Sequence, residues 1–448
     1  MNMLRKLQAA SLLSLLGFVA LQAPAHAYGY GSCLFGTYKW SGSTITVGAS
    51  TVSFPVGSYV RSNLDEAINA WNAQAPGGNF RFSTVADAST SFSSGDGKNS
   101  IYFNSTYGFN GALAVTLTRL NCVFTSKITE ADILFNNAYS WAFDPAPGSP
   151  PNQFSPYNFN LVAVHELGHA FGLKHENARL STMNDCYPNG GPLGNFNQIH
   201  PHSDDVLGDR AGYGTSGSPQ DLAVTTYRSF ASGTCAATSD RIASPAIAYR
   251  GVPTNFLFTI ENRGTSTQSP SVSFYLSNDR WIDASDLAVG SASFSMAPGF
   301  VGTYNAGVVL PMSVAPGSYY FGWNIDPGNS IGEVNESNNA VALLSPTTVP
   351  SYSPPTACLS ASPDYGSAPL FLQADASCSF DPDGASLTYD WDFGDGSAYR
   401  GGAQESHVYF ADGNYTVTVT VTDSQALTSS ASRFVTVCTS GGAFCFLQ

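Results

Sequence analysis

The sequence predicts a multidomain chain, α+β in its first half and all-β after that. Three observations lead there. The 448 residues exceed what one hydrophobic core organises, so two to four domains are expected. A helical apolar stripe (Leu64, Ala67, Ile68, Trp71) and a histidine pair at helix spacing both fall before residue 215. Beyond it, strand-like alternation is set off by two turn-rich linkers, Thr215–Pro219 and Ser345–Pro355.

The chain opens like a secretory leader. Arg5 and Lys6 give the positive start, Leu12 to Leu21 the apolar core, and Ala25-His26-Ala27 the cleavage site. Residues 1–27 are therefore expected to be removed, giving a secreted, extracellular chain that starts near Tyr28. The apolar run is too short to span a membrane easily, and no later segment approaches transmembrane length. The net charge of −14 moves to about −16 once Arg5 and Lys6 are lost. With 18 basic residues and no basic cluster, nucleic acid is not expected as a partner.

Residues 165–175 read His-Glu-Leu-Gly-His-Ala-Phe-Gly-Leu-Lys-His. His165 and His169, four apart, share one helix face and can reach a single metal ion. Gly172 permits the backbone turn that leaves the helix and brings His175 round as third ligand. The fourth position stays open for water and substrate, as in a catalytic rather than a structural zinc site. Glu166 lies where a carboxylate would take the proton of the zinc-bound water.

This H-E-x-x-H-x-x-G-x-x-H pattern, followed by Ser181-Thr182-Met183-Asn184, resembles the metzincin endopeptidases, and the short gap to Met183 resembles their matrixin branch. The resemblance implies a catalytic domain over 28–215 with a twisted mixed sheet and three helices. Within it Ser43–Val47 looks like the first strand and Leu64–Trp71 the first helix. Gly111–Thr116 looks like the edge strand, with Leu113, Ala114 and Val115 pairing with substrate, and Ala131–Phe135 looks like a central strand. Ser203–Gly208, closing at Tyr213-Gly214, looks like the final helix. His165, His169 and His175 would hold one catalytic zinc, Glu166 would be the general base, and Met183 would floor the site in a methionine turn. Two features depart from the family: no histidine precedes His165 after the leader to serve a structural zinc, and Asn184-Asp185-Cys186 lack the proline-bearing pocket wall. The calcium repeats of the serralysin branch are missing, which argues against that subfamily.

Two immunoglobulin-like sandwiches are expected to follow. Phe256–Gly264 and Ile331–Asn339 resemble the CARDB module, assigned to 221–345. A Pro/Ser-rich linker at 346–356 leads to a domain at 357–438 and a tail at 439–448. Phe380–Gly384, Tyr389–Gly396, His407–Tyr409 and the Val/Thr alternation Tyr415–Asp423 resemble a PKD (polycystic kidney disease) domain, with Trp391 as core anchor. Its aspartates near 381–395 could bind calcium, although stabilising turns is the preferred reading. His407 reads as structural, and His200 and His202 as exposed loop residues.

Eight cysteines (33, 122, 186, 235, 358, 378, 438, 445) in an exported chain point to disulfides, with Cys358–Cys378 and Cys438–Cys445 favoured by proximity. A disulfide is preferred for Cys33 over a latency switch, because its surroundings do not match the matrixin propeptide motif. The expected function is a secreted zinc endopeptidase acting on extracellular proteins or peptides. The alternative is a surface-binding or adhesion protein whose β-sandwich tail carries the main function, through an extracellular polymer or cell-surface ligand.

Overall fold

A computed structural model describes residues 30–33, 36–73, 79–89, 93–123, 125–143, 157–176, 180–183, 200–228 and 242–438. The expected leader, residues Asn184 and Asp185, and Cys186, Cys235 and Cys445 lie outside these. Among the described residues no helix is long and apolar enough to cross a membrane.

The N-terminal domain is an α+β fold. A short ribbon, β1 (Ser32–Cys33) with β2 (Gly36–Thr37), precedes its main sheet. That sheet has the order β4-β3-β5-β7-β6. Strands β3 (Thr44–Ser50), β4 (Arg81–Asp87), β5 (Ser100–Asn104) and β7 (Lys127–Asn136) run parallel. Strand β6 (Ala114–Asn121) closes one edge antiparallel to β7. Parallel strands covered on both faces should be apolar throughout, and Ala131–Phe135 in β7 is buried at every position. Two short strands, β8 (Trp141–Ala142) and β9 (Tyr157–Asn158), pair beyond it.

Among its described residues the domain has three helices, as the resemblance implies. Helix α1 (Tyr59–Asn72) starts at Ser58, whose side chain accepts from Arg61 N, and buries the predicted stripe Leu64, Ala67, Ile68 and Trp71. Helix α2 (Phe159–Phe171) starts at Asn158 and lies deep in the core. Trp71 joins the two, donating Nε1 to Val164 O at 2.8 Å and stacking on Phe171. Helix α3 (Ser203–Tyr213) begins with a capping box in which Asp205 accepts from His202 N.

The second module carries the sheets β10-β11-β14 and β13-β12-β15-β16. Its strands are β10 (Leu222–Thr225), β11 (Pro253–Asn262), β12 (Ser271–Ser277), β13 (Leu287–Ser293), β14 (Val301–Val309), β15 (Gly317–Ile325) and β16 (Ala340–Ala342). Strand β17 (Thr347–Val349) pairs with the start of β15. The inner faces carry Phe256, Phe258, Phe274, Phe321 and Trp323, all buried.

The third module is also a sandwich, with sheets β18-β20-β23 and β19-β25-β24-β21-β22. These comprise β18 (Ser360–Ser362), β19 (Tyr365–Ser367), β20 (Leu370–Asp375), β21 (Thr388–Asp392), β22 (Ala398–Gly401), β23 (Gln404–Tyr409), β24 (Gly413–Thr422) and β25 (Thr428–Cys438). In β24, Val417, Val419 and Val421 point inward beside the buried Trp391, while Thr418 and Thr420 pair with Ser432 and Ser430.

The chain divides into two compact units. One contains residues up to Ser244 with Phe256–Gly307 and Tyr320–Pro346; the other contains Pro245–Asn255, Val308–Tyr319 and everything from Thr347. The first unit thus joins the N-terminal domain to much of the second module. The Thr215–Pro219 segment lacks regular structure, as its composition predicts, yet the residues on either side of it belong to the same unit. Cys33 bonds to Cys122 and Cys358 to Cys378. Cys438 is also disulfide-bonded, and its expected partner Cys445 lies outside the described residues.

Candidate metal centre

Helix α2 presents His165 and His169 one turn apart. Gly172 caps it in the left-handed region at φ 115°, a conformation glycine adopts without strain, and the chain turns back so that His175 meets the pair. The three imidazoles converge, each offering a ligand atom within 4.8 Å of the others. The Nε2 atoms of His169 and His175 are 3.1 Å apart.

The second ring nitrogens define the tautomers. His165 Nδ1 lies 2.8 Å from Thr182 O, and His169 Nδ1 lies 2.8 Å from Leu173 O. A carbonyl only accepts, so both Nδ1 atoms carry the proton and both Nε2 lone pairs are left for a metal ion. Burial, reinforced by the neighbouring histidines, pushes His165 down to about 3 and His169 to about 4. Both rings are therefore neutral near pH 7, the form that ligates. Two neutral imidazoles with their far nitrogens anchored, joined by the His175 ring, suit a divalent ion such as zinc.

Glu166 is buried beside them. Its Oε2 accepts from Thr116 Oγ1 at 2.6 Å, and the same hydroxyl lies 3.0 Å from the Glu166 carbonyl oxygen. Burial raises its carboxyl to about 7 against the opposing pull of Thr116. Strand β6, which carries Thr116, is the sheet edge. Ala114 and Val115 open that strand, and Leu113 sits one residue ahead with its carbonyl accepting from Asn136 N at 2.9 Å.

Met183 is fully buried, with its Sδ against Gly168 of helix α2. A β-carbon on Gly168 would collide with Met183 Sδ and come within 3.0 Å of Trp71, so glycine is what lets the methionine approach the helix. Asp205 fastens this turn, accepting from Ser181 Oγ at 2.6 Å and Thr182 N at 2.7 Å. Sequence reasoning puts Thr116 in the edge strand but misses its bond to Glu166, and it misses the hold of Asp205 on the turn. Nothing local to Asp205 points to the turn it holds.

His200 and His202 are buried rather than exposed, because β11 of the second module covers them. His202 Nδ1 lies 2.7 Å from Glu261 Oε1, and His200 Nδ1 lies 2.8 Å from Arg263 Nη2. In the third module His407 stacks on Phe393 and bonds to Asp395, a structural role. Asp381, Asp392 and Asp395 each accept backbone N–H groups within their own turns.

Comparison with known proteins follows the same order of domains. The matrixin family model matches residues 39–214, the CARDB model 238–343 and the PKD domain model 353–437. Human (Homo sapiens) matrix metalloproteinase-20 is 29% identical over 181 residues, 40% of this chain and 33% of that protein. A microbial collagenase of Vibrio alginolyticus is 41% identical over 64 residues, 14% of this chain and 8% of that protein. The PKD1 domain of Vibrio anguillarum Epp is 31% identical with a TM-score of 0.17, covering 20% of this chain and 98% of that domain. The chain thus spans about a third or less of the curated relatives it matches.

Proposed function

We propose that this chain is a secreted zinc-dependent endopeptidase. The observation that carries the reading is the convergence of three imidazoles, two with Nδ1 committed to backbone carbonyls, beside the buried Glu166 side chain. The matrixin match over the same residues supports it.

His165, His169 and His175 would hold the ion, and a zinc ion bound there supplies Lewis acidity to the attacking water and the scissile carbonyl. Glu166 accepts a proton from the water and returns it to the leaving amine, one carboxylate serving both transfers. Thr116 fixes the direction of the side chain for both transfers. Strand β6 ends its sheet, so the main-chain groups of the Leu113–Val115 stretch that do not pair with β7 can meet an extended peptide. Met183 supports the histidines from below without touching substrate.

Hydrolysis of casein or gelatin by residues 28–448 tests this reading, with zinc content measured on the same samples. Cleavage should stop when a chelator removes zinc. Glu166→Gln should keep its zinc and lose most activity, whereas His169→Ala should lose both. Near wild-type turnover by Glu166→Gln would remove the general-base assignment.

A further inference from the structure

We propose that Glu261 and Arg263, on strand β11 and the turn after it in the second module, are positioning residues for His165 in the first domain. The inference rests on the zinc-site reading above.

The path is continuous. Glu261 has no exposed surface, and its carboxylate receives His202 Nδ1 at 2.7 Å, Ser203 N at 2.8 Å, Arg263 Nη2 at 3.1 Å and Arg263 Nε at 3.2 Å. Ser203 is the first residue of α3, so a carboxylate meets the positive end of that helix and fixes where it starts. Two residues on, Asp205 holds Ser181 Oγ and Thr182 N. Thr182 O then accepts the Nδ1 proton of His165. A parallel route runs from Arg263 Nη2 to His200 Nδ1, and Thr182 Oγ1 donates to His200 O at 3.2 Å. Both routes end on Thr182, the residue that sets the plane and tautomer of His165.

The far end of α3 is held from the same module. Arg210 Nη1 donates to Arg263 O, and a β-carbon on Gly299 would come within 2.7 Å of Leu207 Cδ1. Burial alone would raise the Glu261 carboxyl, but Arg263 and His202 beside it hold it well below the usual range. A buried, paired charge is a weak source of net stability and a strong source of fixed geometry, because either partner left alone is heavily penalised. Such a cluster suits orientation more than affinity between domains.

The test is the rate at which zinc-loaded full-length chain gives up its metal to excess chromogenic chelator. Glu261→Gln keeps the shape and removes the charge. Arg263→Lys keeps a charge but loses the forked contact to Glu261 and His200. Each should speed release on the order of tenfold, the effect of weakening one charge-assisted bond to a ligand's support. Phe274→Leu, a core change in the same module, lowers thermal stability without touching the path and should leave release unchanged. Release at the wild-type rate in both path variants would overturn the inference, as would equal acceleration by Phe274→Leu. A wild-type chain that takes up no zinc overturns the peptidase reading and this inference together.

Discussion

Thr116 and Glu166, fifty residues apart in sequence, meet through a 2.6 Å hydrogen bond that ties the sheet's edge strand to the carboxylate beside the histidines. The element that would receive substrate and the group that would move the proton are thus mechanically joined. Thr116→Val preserves the side chain's shape and deletes the hydroxyl. We expect kcat to fall about tenfold with KM little changed, since the bond fixes a reacting group and not a substrate contact. Steady-state kinetics on a peptide substrate decide the matter, and a change confined to KM would refute it.

Gly168 is the second place where a small change should be felt. Alanine there would gain about 1 kcal/mol of helix propensity. Against that stand collisions with Met183 Sδ and Trp71, and overpacking a tight core costs roughly 1–3 kcal/mol. With both neighbours buried, Gly168→Ala should be destabilising on balance by urea titration. Adding Met183→Ala should recover part of the loss.

The Cys33–Cys122 bond closes a loop across 89 residues and anchors the chain just past β6. Replacing both cysteines by serine should cost about 2–5 kcal/mol in denaturant unfolding. Mild reduction should leave peptidase activity level or lower it. A rise in activity on reduction would instead reveal a latency thiol.

Glu333 gives a pH-dependent expectation. Burial raises its carboxyl to about 8 from an ordinary 4.5, and Leu222 N and Asn339 Nδ2 partly oppose the shift. The unfolded chain ionises first, so it binds fewer protons than the folded chain between those two values. Stability contributed by this group is full below 4.5 and falls away as pH rises toward 8. Glu333→Gln should remove that slope. Melting temperatures of both chains from pH 5 to 8 should therefore show wild type losing ground to the variant, and parallel curves would contradict the assignment.

Sequence made the local chemistry legible because helices and turns are short-range objects. Spacing alone puts His165 and His169 on one face, and Gly172 marks the turn to His175. The stripe Leu64–Trp71 and the Val/Thr alternation of β24 identify their buried faces in the same way. What stayed hidden depends on long sequence separations. Thr116, Asp205 and Glu261 look like ordinary polar residues until distant segments are laid against them. His200 and His202 were misread for that reason: polarity suggests solvent, and only β11 explains their burial. The Ser/Gly/Pro run after Gly214 shows the same limit, since its composition announces irregular backbone but not whether the flanking bodies pack.

The position of Glu261 in the chain has a consequence for timing. Synthesis proceeds from the N-terminus, so every histidine of the metal centre emerges before the strand that covers α3. A nascent chain can therefore hold all of its ligands while the support for His165 is still unmade. On the proposed role of Glu261, the support for His165 would be complete only once β11 has packed against α3, so the metal centre would mature after its ligands are made.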